Sequence, residues 1–259
     1  MPELTVPPGV EGIVTLTELP DDAWRERWQR IVVPTAIRDR LRNYMLFSLR
    51  HRARLSGVAV PVHGLIVLSG PPGTGKTTLS GGLADEAARA LTSRLLFVDI
   101  NPHAFPSQLL GESQRSVARL FERTIPDLAR RGHPLVVLLD EVEALAVNRS
   151  GASLETNPVD VHRATDAVLA GLDHVSRTFP NVTFLATTNH AVGVDRAFLS
   201  RADLVEEIGY PDPDAVTAIL LDTVREITGR DGLEPAALRP IAEACAAASV
   251  DARQVRKLV

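Results

Sequence analysis

A glycine-rich segment carries the clearest chemistry in this sequence of 259 residues. It reads Gly70-Pro-Pro-Gly-Thr-Gly-Lys76-Thr77 and matches the complete pattern of a phosphate-binding loop. Glycines let successive backbone N–H groups turn inward around phosphate oxygens, and the following helix adds the positive end of its dipole. We expect Lys76 to reach the β- and γ-phosphates and the Thr77 hydroxyl to hold Mg²⁺. The predicted nucleotide-binding residues of this segment are Gly70, Pro71, Pro72, Gly73, Thr74, Gly75, Lys76, Thr77 and Thr78.

The lysine content of the chain supports this interpretation. Nearly every basic position is arginine, and the two lysines are Lys76 and Lys257. One of the two therefore stands at the loop position that requires a lysine. A chance glycine-rich turn is the alternative, but an apolar run at residues 65–68 precedes the loop and a helix is predicted at residues 77–91. That order of strand, loop and helix is the context in which a phosphate-binding loop occurs.

A second motif is a strand followed by two acids. The apolar run at residues 135–139 predicts a buried strand, and Asp140 and Glu141 come directly after it. We expect Asp140 to contact the metal through water and Glu141 to polarise the water that attacks the γ-phosphate. Two solvated turn carboxylates are the alternative, which the preceding apolar run disfavours. Because Glu141 is present, the sequence predicts hydrolysis of ATP and not binding alone.

Strands and helices alternate around both motifs. Strands are predicted at residues 65–68, 95–100, 135–139, 182–187 and 204–208, with helices between them. Apolar strands that alternate with helices indicate an α/β fold in which a five-stranded parallel sheet is covered on both faces. A turn at residues 210–213 ends the sheet region, and from Asp214 onward the pattern is helical only. We therefore expect a leader or linker at residues 1–20, a large ATP-binding subdomain at 21–212 and a small helical lid at 213–259.

Composition excludes several classes of protein. Hydrophobic residues make up 45% and charged residues 23%, so the chain can bury a core and is neither disordered nor fibrous. A formal net charge of -4 argues against general electrostatic capture of nucleic acid. A single cysteine, Cys245, excludes an intramolecular disulfide framework. Because no apolar run approaches roughly 20 residues and the N-terminus lacks the features of a signal peptide, we expect a cytoplasmic protein without membrane contact.

These motifs together resemble those of the AAA+ ATPases, and the resemblance extends from about residue 24 to residue 259. It implies a P-loop AAA+ core with a five-stranded parallel sheet, a small C-terminal helical lid, and ATP and Mg²⁺ as cofactors. Asn189, which ends Thr187-Thr188-Asn189, is similar to the first sensor of the family, a residue that helps to position the lytic water. Ile31 and Val32 match the family positions that contact adenine.

The same resemblance implies roles for two arginines. Arg201, in Phe198-Leu-Ser-Arg-Ala-Asp, matches the arginine finger, which in this family reaches the nucleotide of a neighbouring subunit. Because an arginine supplied in trans acts only between assembled subunits, Arg201 implies an oligomer, and the resemblance implies a homo-hexameric ring. A surface salt bridge is the alternative for Arg201, and Arg196 is a rival for the role. Arg253 matches the second-sensor arginine of the lid.

Within AAA+, the chain resembles the pachytene-checkpoint remodellers of HORMA-domain proteins. The segments that carry this likeness are residues 98–103, 110–114, 157–163, 167–173 and 200–203. Members of this family pull on the terminal segment of a closed HORMA domain and return it to an open form. A bacterial branch accompanies HORMA proteins and nucleotidyltransferases in anti-phage (CBASS) signalling, and it resembles this chain in having only a short region before the ATPase core. The implied function is Mg-ATP-driven opening or disassembly of a HORMA-domain partner, accompanied by its nucleotidyltransferase, to regulate that signalling.

The pore loop departs from the family pattern. Alignment assigns it to residues 107–111, where Leu109 and Leu110 stand at positions that usually hold an aromatic residue. Leucine offers less contact area than an aromatic side chain to a threaded peptide. Either the grip is weaker or the alignment register differs, and core residues at a helix start are a further alternative. Residues 147–157, rich in Gly, Ser and Asn, are expected to form a second pore loop or a passive linker.

Two other functions stay open at this point. A basic helix is predicted at residues 34–54, and its arginines could contact DNA, as in a loader or transposition regulator. A solvated helix face is favoured, because no aromatic stacking platform accompanies these arginines. Nucleic acid is therefore not an expected partner. The non-enzymatic alternative is an ATP-gated scaffold, which Glu141, Asn189 and Arg201 disfavour.

Overall fold

A computed structural model of the chain describes residues 12–55, 62–101, 112–146, 158–229 and 234–259. The strands are β1 Ile13–Leu19, β2 Leu65–Ser69, β3 Leu95–Ile100, β4 Leu135–Leu139, β5 Val182–Thr188 and β6 Leu204–Glu207. The helices are α1 Asp22–Arg30, α2 Thr35–His51, α3 Lys76–Leu91, α4 Glu112–Arg119, α5 Ile125–Ala129, α6 Pro158–Thr178, α7 Arg196–Leu199, α8 Pro213–Thr228, α9 Pro235–Ala247 and α10 Ala252–Arg256. None of the helices in the described ranges is long and apolar enough to cross a membrane.

The strands form one sheet in the order β1-β3-β4-β5-β2-β6. Strands β2 to β6 are parallel, which confirms the predicted α/β fold and its five parallel strands. A sixth strand was not predicted: β1 pairs antiparallel with β3, so that Ile13 lies opposite Ile100 and Leu19 opposite Leu95. The expected sheet was one strand too small, and residues Ile13–Leu19 are an edge strand and not a linker. Polar residues interrupt β1 because it is an edge strand in which Leu16 and Leu19 are the only buried residues, one on each face of the sheet.

Strand order brings the two nucleotide motifs to one edge of the sheet. Strand β5 lies between β2, which precedes the glycine-rich loop, and β4, which precedes Asp140 and Glu141. Ser69 pairs with Thr188, and Leu139 with Ala186, so the three parallel strands end side by side. Residues that follow β5 therefore lie between the two motifs.

Both faces of the sheet are buried. Alternate residues of β2 enter separate apolar clusters: Leu65 and Val67 pack with α4 to α6, and Ile66 and Leu68 pack with α1 to α3. A strand covered on both faces needs apolar residues at consecutive positions, which explains the unbroken run in β2. This double burial gives the carboxyl edge of the sheet a rigid base.

Helix α1 lies on α3 at short distance. Its N-cap is Asp21, whose carboxylate accepts hydrogen bonds from the backbone N–H groups of Ala23 and Trp24. A β-carbon added at Gly81 would lie 2.3 Å from the Trp24 ring, so glycine is required for this packing. Close packing fixes α1, and with it the residues that connect α1 to α2.

Helices α8 to α10 share a third apolar cluster. Its buried members are Val216, Ile219, Leu220, Ala242, Cys245 and Val255. Cys245 is a small core residue there, and Val32 packs against the cluster from the α1–α2 connection. A separate cluster is consistent with the small helical lid that we propose for residues 213–259.

Candidate functional site

The predicted phosphate-binding loop connects the end of β2 to the start of α3. Gly73 and Gly75 have φ angles of +79° and +89°, in a region that glycine enters without steric penalty. Gly75 is the N-cap of α3, so the loop ends at the positive end of a helix dipole. The backbone here has the form expected of an anion-binding loop.

Lys76 is buried inside this loop. Its ammonium donates hydrogen bonds to the carbonyl oxygens of Gly70 at 2.8 Å and Pro71 at 2.7 Å. Burial lowers the pKa of Lys76, and the nearby carboxylates of Glu143, Asp140 and Glu141 oppose that shift. The loop therefore holds a cation at its centre, with three carboxylates close enough to support the charge.

Asp140 is held by two hydroxyl groups. Thr77 Oγ1 donates to Asp140 Oδ1 at 2.9 Å and to Oδ2 at 3.2 Å. Thr187 Oγ1 donates to Asp140 Oδ1 at 2.5 Å and accepts the backbone N–H of Glu141 at 3.0 Å. Thr77 and Asp140 thus present a hydroxyl and a carboxylate, the hard oxygen donors that Mg²⁺ prefers. Thr187 was not among the predicted site residues, because its role depends on β5 lying beside β4.

Asn189 lies beside Glu141, as the predicted first-sensor role requires. Its side-chain Nδ2 donates to Glu141 Oε1 at 3.1 Å. Its backbone N–H donates to Oε1 of Glu143 at 3.0 Å, a second contact that the sequence did not indicate. Glu141 has a left-handed backbone with φ +55°, which is unusual for a residue other than glycine. Strain of this kind is tolerated where surrounding contacts fix the conformation, as at many active sites.

A cavity of about 520 Å³ adjoins the loop on the side of the lid. Ile31 and Val32, the predicted adenine contacts, lie in its wall with Thr74, Gly75 and Thr78. Helices α8 and α10 close the other side through Ile219, Glu226, Ala252 and Arg256. The cavity therefore has the mixed apolar and polar lining that suits a nucleoside beside a phosphate site.

Arg38 holds in place the wall of the cavity that contains Ile31. Its guanidinium Nη2 donates to the carbonyl oxygens of Ile31 at 2.5 Å and Trp28 at 3.1 Å. The same guanidinium stacks on the Trp28 ring, with its central carbon 4.7 Å from the ring centroid. These contacts fix the carbonyl groups on both sides of the turn that contains Ile31.

The segment of Arg253 docks on the phosphate-binding loop through its main chain. The backbone N–H of Arg253 donates to the Gly73 carbonyl at 3.3 Å, and its side chain is exposed. Asp251, the N-cap of α10, lies over Gly73 so closely that a β-carbon there would be 2.3 Å from a carboxylate oxygen. Lid and loop are thus in direct contact beside the predicted second sensor.

Arg201 lies apart from these residues. Its Nε and Nη2 donate to the two carboxylate oxygens of Asp173 at 2.7 and 2.8 Å, and its Nη1 donates to the Ala197 carbonyl. This hydrogen-bonded pair raises the pKa of Arg201 and lowers that of Asp173. The salt bridge considered as an alternative for Arg201 is therefore present. The rival Arg196 is exposed.

Position in the sheet separates Arg201 from the loop of its own chain. Asp203, two residues later, accepts the backbone N–H of Leu65 at the start of β2. The loop begins after Ser69, at the other end of the same strand. At about 3.3 Å per residue, the five residues of β2 put the two regions about 16 Å apart, on opposite edges of the sheet. Arg201 cannot serve the nucleotide of its own chain from this position.

The arginines of the predicted basic helix are mostly bound within the chain. Arg40 donates to Glu206, Arg42 to Glu86, and Arg50 to the Ala90 carbonyl. Arg52 is buried and donates to three carbonyl groups, those of His63, Phe179 and Val182. With Arg38 bound as described above, these side chains do not form a free array for a phosphate backbone. The predicted pore-loop residues Leu109 and Leu110, and residues 147–157, lie outside the described ranges.

Comparison with known proteins shows the family to which the chain belongs. The model of the AAA family, ATPases associated with various cellular activities, matches residues 66–210, more than half of the chain. The chain is 41% identical over 253 residues to CD-NTase-associated protein 6 of Pseudomonas aeruginosa, covering 96% of this chain and 83% of that protein. It is 35% identical over 217 residues to the pachytene checkpoint protein 2 homolog of Xenopus tropicalis, covering 81% of this chain and 49% of that protein. Thus the chain spans about half the length of the Xenopus relative.

A solved structure shares the fold. One chain in the structure of the E. coli MS115-1 HORMA:CdnC:Trip13 complex superposes with a TM-score of 0.76 at 21% sequence identity. The match covers 92% of this chain and 82% of that chain. At that identity, the likeness concerns the fold.

Proposed function

The chain belongs to the AAA family of ATPases, and on that premise we propose that it hydrolyses Mg-ATP in a homo-hexameric ring that remodels a HORMA-domain protein. The observation that carries the ATPase proposal is the convergence of Lys76, Thr77, Asp140, Glu141 and Asn189 at one edge of the sheet. Thr77 bonds Asp140 and Asn189 bonds Glu141, and both carboxylates lie close enough to Lys76 to oppose the lowering of its pKa by burial.

The donor set fits ATP and Mg²⁺. The loop offers a buried ammonium and glycine backbone in an anion-binding form, and Thr77 with Asp140 offers two hard oxygen donors. Bound Mg²⁺ would neutralise charge on the phosphoryl group that is transferred. Lys76 would hold the β- and γ-phosphates, and Glu141 would accept a proton from the attacking water while Asn189 orients both.

The position of Arg201 supports a role between subunits. Since it lies about 16 Å from its own loop along β2, an arginine finger at this position must act on a neighbour. Such a neighbour is supplied by the ring of six that the family resemblance implies. Arg253 would report the nucleotide state to the lid, whose helix α10 already contacts Gly73 through its backbone.

The proposed partner is a HORMA-domain protein with its nucleotidyltransferase. Support comes from the similar Pseudomonas protein, whose name associates it with a CD-NTase, and from the similar fold in a HORMA:CdnC:Trip13 complex. In the proposed cycle, ATP turnover moves the pore loops, and Leu109 and Leu110 grip a flexible segment of the partner. Opening or disassembly of the partner would regulate anti-phage nucleotide signalling. A DNA-acting role has less support, because the arginines around α2 are engaged within the chain.

The test is capture with a variant that binds ATP without turning it over. Glu141→Gln protein with saturating Mg-ATP is used as bait in lysate of the source cell, and captured proteins are identified by mass spectrometry. We expect a HORMA-domain protein to be recovered, and to be lost when the bait also carries Lys76→Ala. Lys257→Ala is the matched control, since it removes the only other lysine and should leave capture unchanged. Recovery of a DNA-bound complex in place of a HORMA protein would overturn the partner and leave the ATPase proposal standing.

A further inference from the structure

We propose that Glu143 is a positioning residue for ATP hydrolysis, which holds the main chain of Asn189 so that its side-chain amide reaches Glu141. This inference rests on the ATPase function proposed above and adds a residue to it. Glu143 lies two positions after Glu141, in a short 3-10 turn over Val142–Ala144.

Asn189 is held at two points by two carboxylates. Glu143 Oε1 accepts the backbone N–H of Asn189 at 3.0 Å, and Glu141 Oε1 accepts the side-chain Nδ2 at 3.1 Å. A hydrogen bond from a backbone N–H to a carboxylate is charge-assisted and stronger than one between neutral groups. With its main chain fixed by Glu143, Asn189 can place its amide on Glu141 with little rotational freedom.

The fold explains why these two turns meet. Strands β4 and β5 are adjacent and parallel, with Leu139 opposite Ala186, so the residues after each strand emerge side by side. The left-handed backbone of Glu141 turns the chain sharply, and the fully buried Val142 anchors the turn in the core. Glu141 and Glu143 then flank Val142 with both carboxylates directed at Asn189.

Glu143 also carries an oxygen that stability alone does not explain. Its Oε2 is buried and has no hydrogen-bond partner among the described residues. A buried polar atom without a partner lowers stability, and such an atom in a native protein calls for a functional explanation. Among the nearby carboxylates, Glu143 opposes the burial-induced lowering of the Lys76 pKa most strongly. Its negative charge therefore faces the phosphate-binding loop as well as Asn189.

A matched pair of variants tests the proposal. Glu143→Gln keeps an oxygen that can accept the Asn189 N–H, whereas Glu143→Met has similar length and no comparable acceptor. We expect Glu143→Met to lower kcat by about 10- to 100-fold through misplacement of Asn189, with KM and the affinity for a fluorescent ADP analogue changed by less than about threefold. Glu143→Gln should keep at least about a third of wild-type kcat, because the hydrogen bond is rescued.

A double-mutant cycle separates positioning from a merely structural role. If Glu143 acts through Asn189, Glu143→Met should lower kcat little further in a protein that already carries Asn189→Ala. Additive losses, an unchanged kcat in Glu143→Met, or equal losses in the Gln and Met variants would each overturn the proposal. Failure of the underlying function looks different: the wild-type protein would then turn over ATP no faster than Lys76→Ala.

Discussion

The two edges of the sheet hold their predicted catalytic residues in opposite ways. At the carboxyl edge, Asp140 binds Thr77 and Glu141 binds Asn189, so predicted partners are already bonded to each other. At the amino edge, where the parallel strands begin, the predicted finger Arg201 is bonded to Asp173. Asp173 was not a predicted site residue. One chain therefore completes the carboxyl-edge group by itself, whereas the proposed role of Arg201 requires a second copy.

Contacts within one chain therefore have a different meaning at each edge. Hydrogen bonds among the carboxyl-edge residues arrange groups that would act together on one nucleotide. The Arg201–Asp173 pair, by contrast, occupies the guanidinium that would have to bind a neighbour's phosphate. For Arg201 to act as proposed, its guanidinium has to release Asp173 and bind the nucleotide of the neighbouring subunit when the subunits assemble.

The largest effect is expected at the carboxyl edge. Glu141→Gln should lower ATP turnover by about 100- to 10,000-fold, because the general base is lost while the loop remains. Affinity for nucleotide should persist in Glu141→Gln and fall strongly in Lys76→Ala. A coupled phosphate-release assay and a fluorescent ADP analogue measure the two properties. Turnover above a tenth of the wild-type value in Glu141→Gln would contradict the assignment, and Lys257→Ala is the control for loss of a lysine.

At the amino edge, the effect of Arg201→Ala should depend on the neighbouring subunit. Removal of a finger arginine should lower turnover by about a thousandfold or more. Mixing inactive Arg201→Ala chains with inactive Lys76→Ala chains should restore activity, because about one site in four then pairs an intact loop with an intact finger.

The mixing experiment also decides between the two arginines. Arg196→Ala is the matched control, since Arg196 is exposed and lies in the same segment. We expect it to keep wild-type turnover without mixing. Absence of recovery in the mixture, or recovery only for Arg196→Ala, would remove Arg201 from the role.

A smaller effect is expected from substitution of Thr187, the residue of β5 that bonds Asp140 and the main chain of Glu141. Thr187→Val removes the hydroxyl that donates to Asp140 and accepts the Glu141 N–H, and should lower kcat by about tenfold. Thr183→Val is the control in the same strand: it removes a buried hydroxyl bonded to Ser48, which affects stability and not the site. Steady-state kinetics and thermal unfolding of both variants test this. Equal losses of kcat in the two variants would mean that Thr187 affects turnover only by stabilising the fold.

The smallest effect concerns the Arg201–Asp173 pair. Both side chains are partly exposed, and such pairs contribute about 0 to 1 kcal/mol, so releasing Arg201 should raise turnover of the assembled ring by no more than about fivefold. Asp173→Asn makes this change, and turnover measured against protein concentration detects it. Asp127→Asn, which breaks the exposed Asp127–Arg130 pair, is the control. A fall in turnover in Asp173→Asn would mean that Asp173 orients the finger and does not compete for it.

Prediction from the sequence succeeded where a pattern is continuous along the chain. The apolar run of β4 predicted a buried strand with Asp140 and Glu141 at its end, and the structure has that arrangement. Strand β1 was missed because its polar residues face solvent and its partner β3 begins some 75 residues later in the chain. An edge strand with only two buried residues has a weak signal, and pairing over that separation leaves none in the local pattern.

The sequence by itself determined the fold class, the phosphate-binding loop and the acid pair, because each depends on consecutive residues whose spacing sets the local backbone. Only the tertiary structure decided that Thr187 bonds Asp140, that Glu143 bonds Asn189 and that Arg201 bonds Asp173. Those contacts follow from the strand order, which puts β5 between β2 and β4. The same order puts the start of β6 beside β2, at the amino ends of the parallel strands. Hydrophobic pattern predicts that strands are buried, but it does not specify which strand lies beside which.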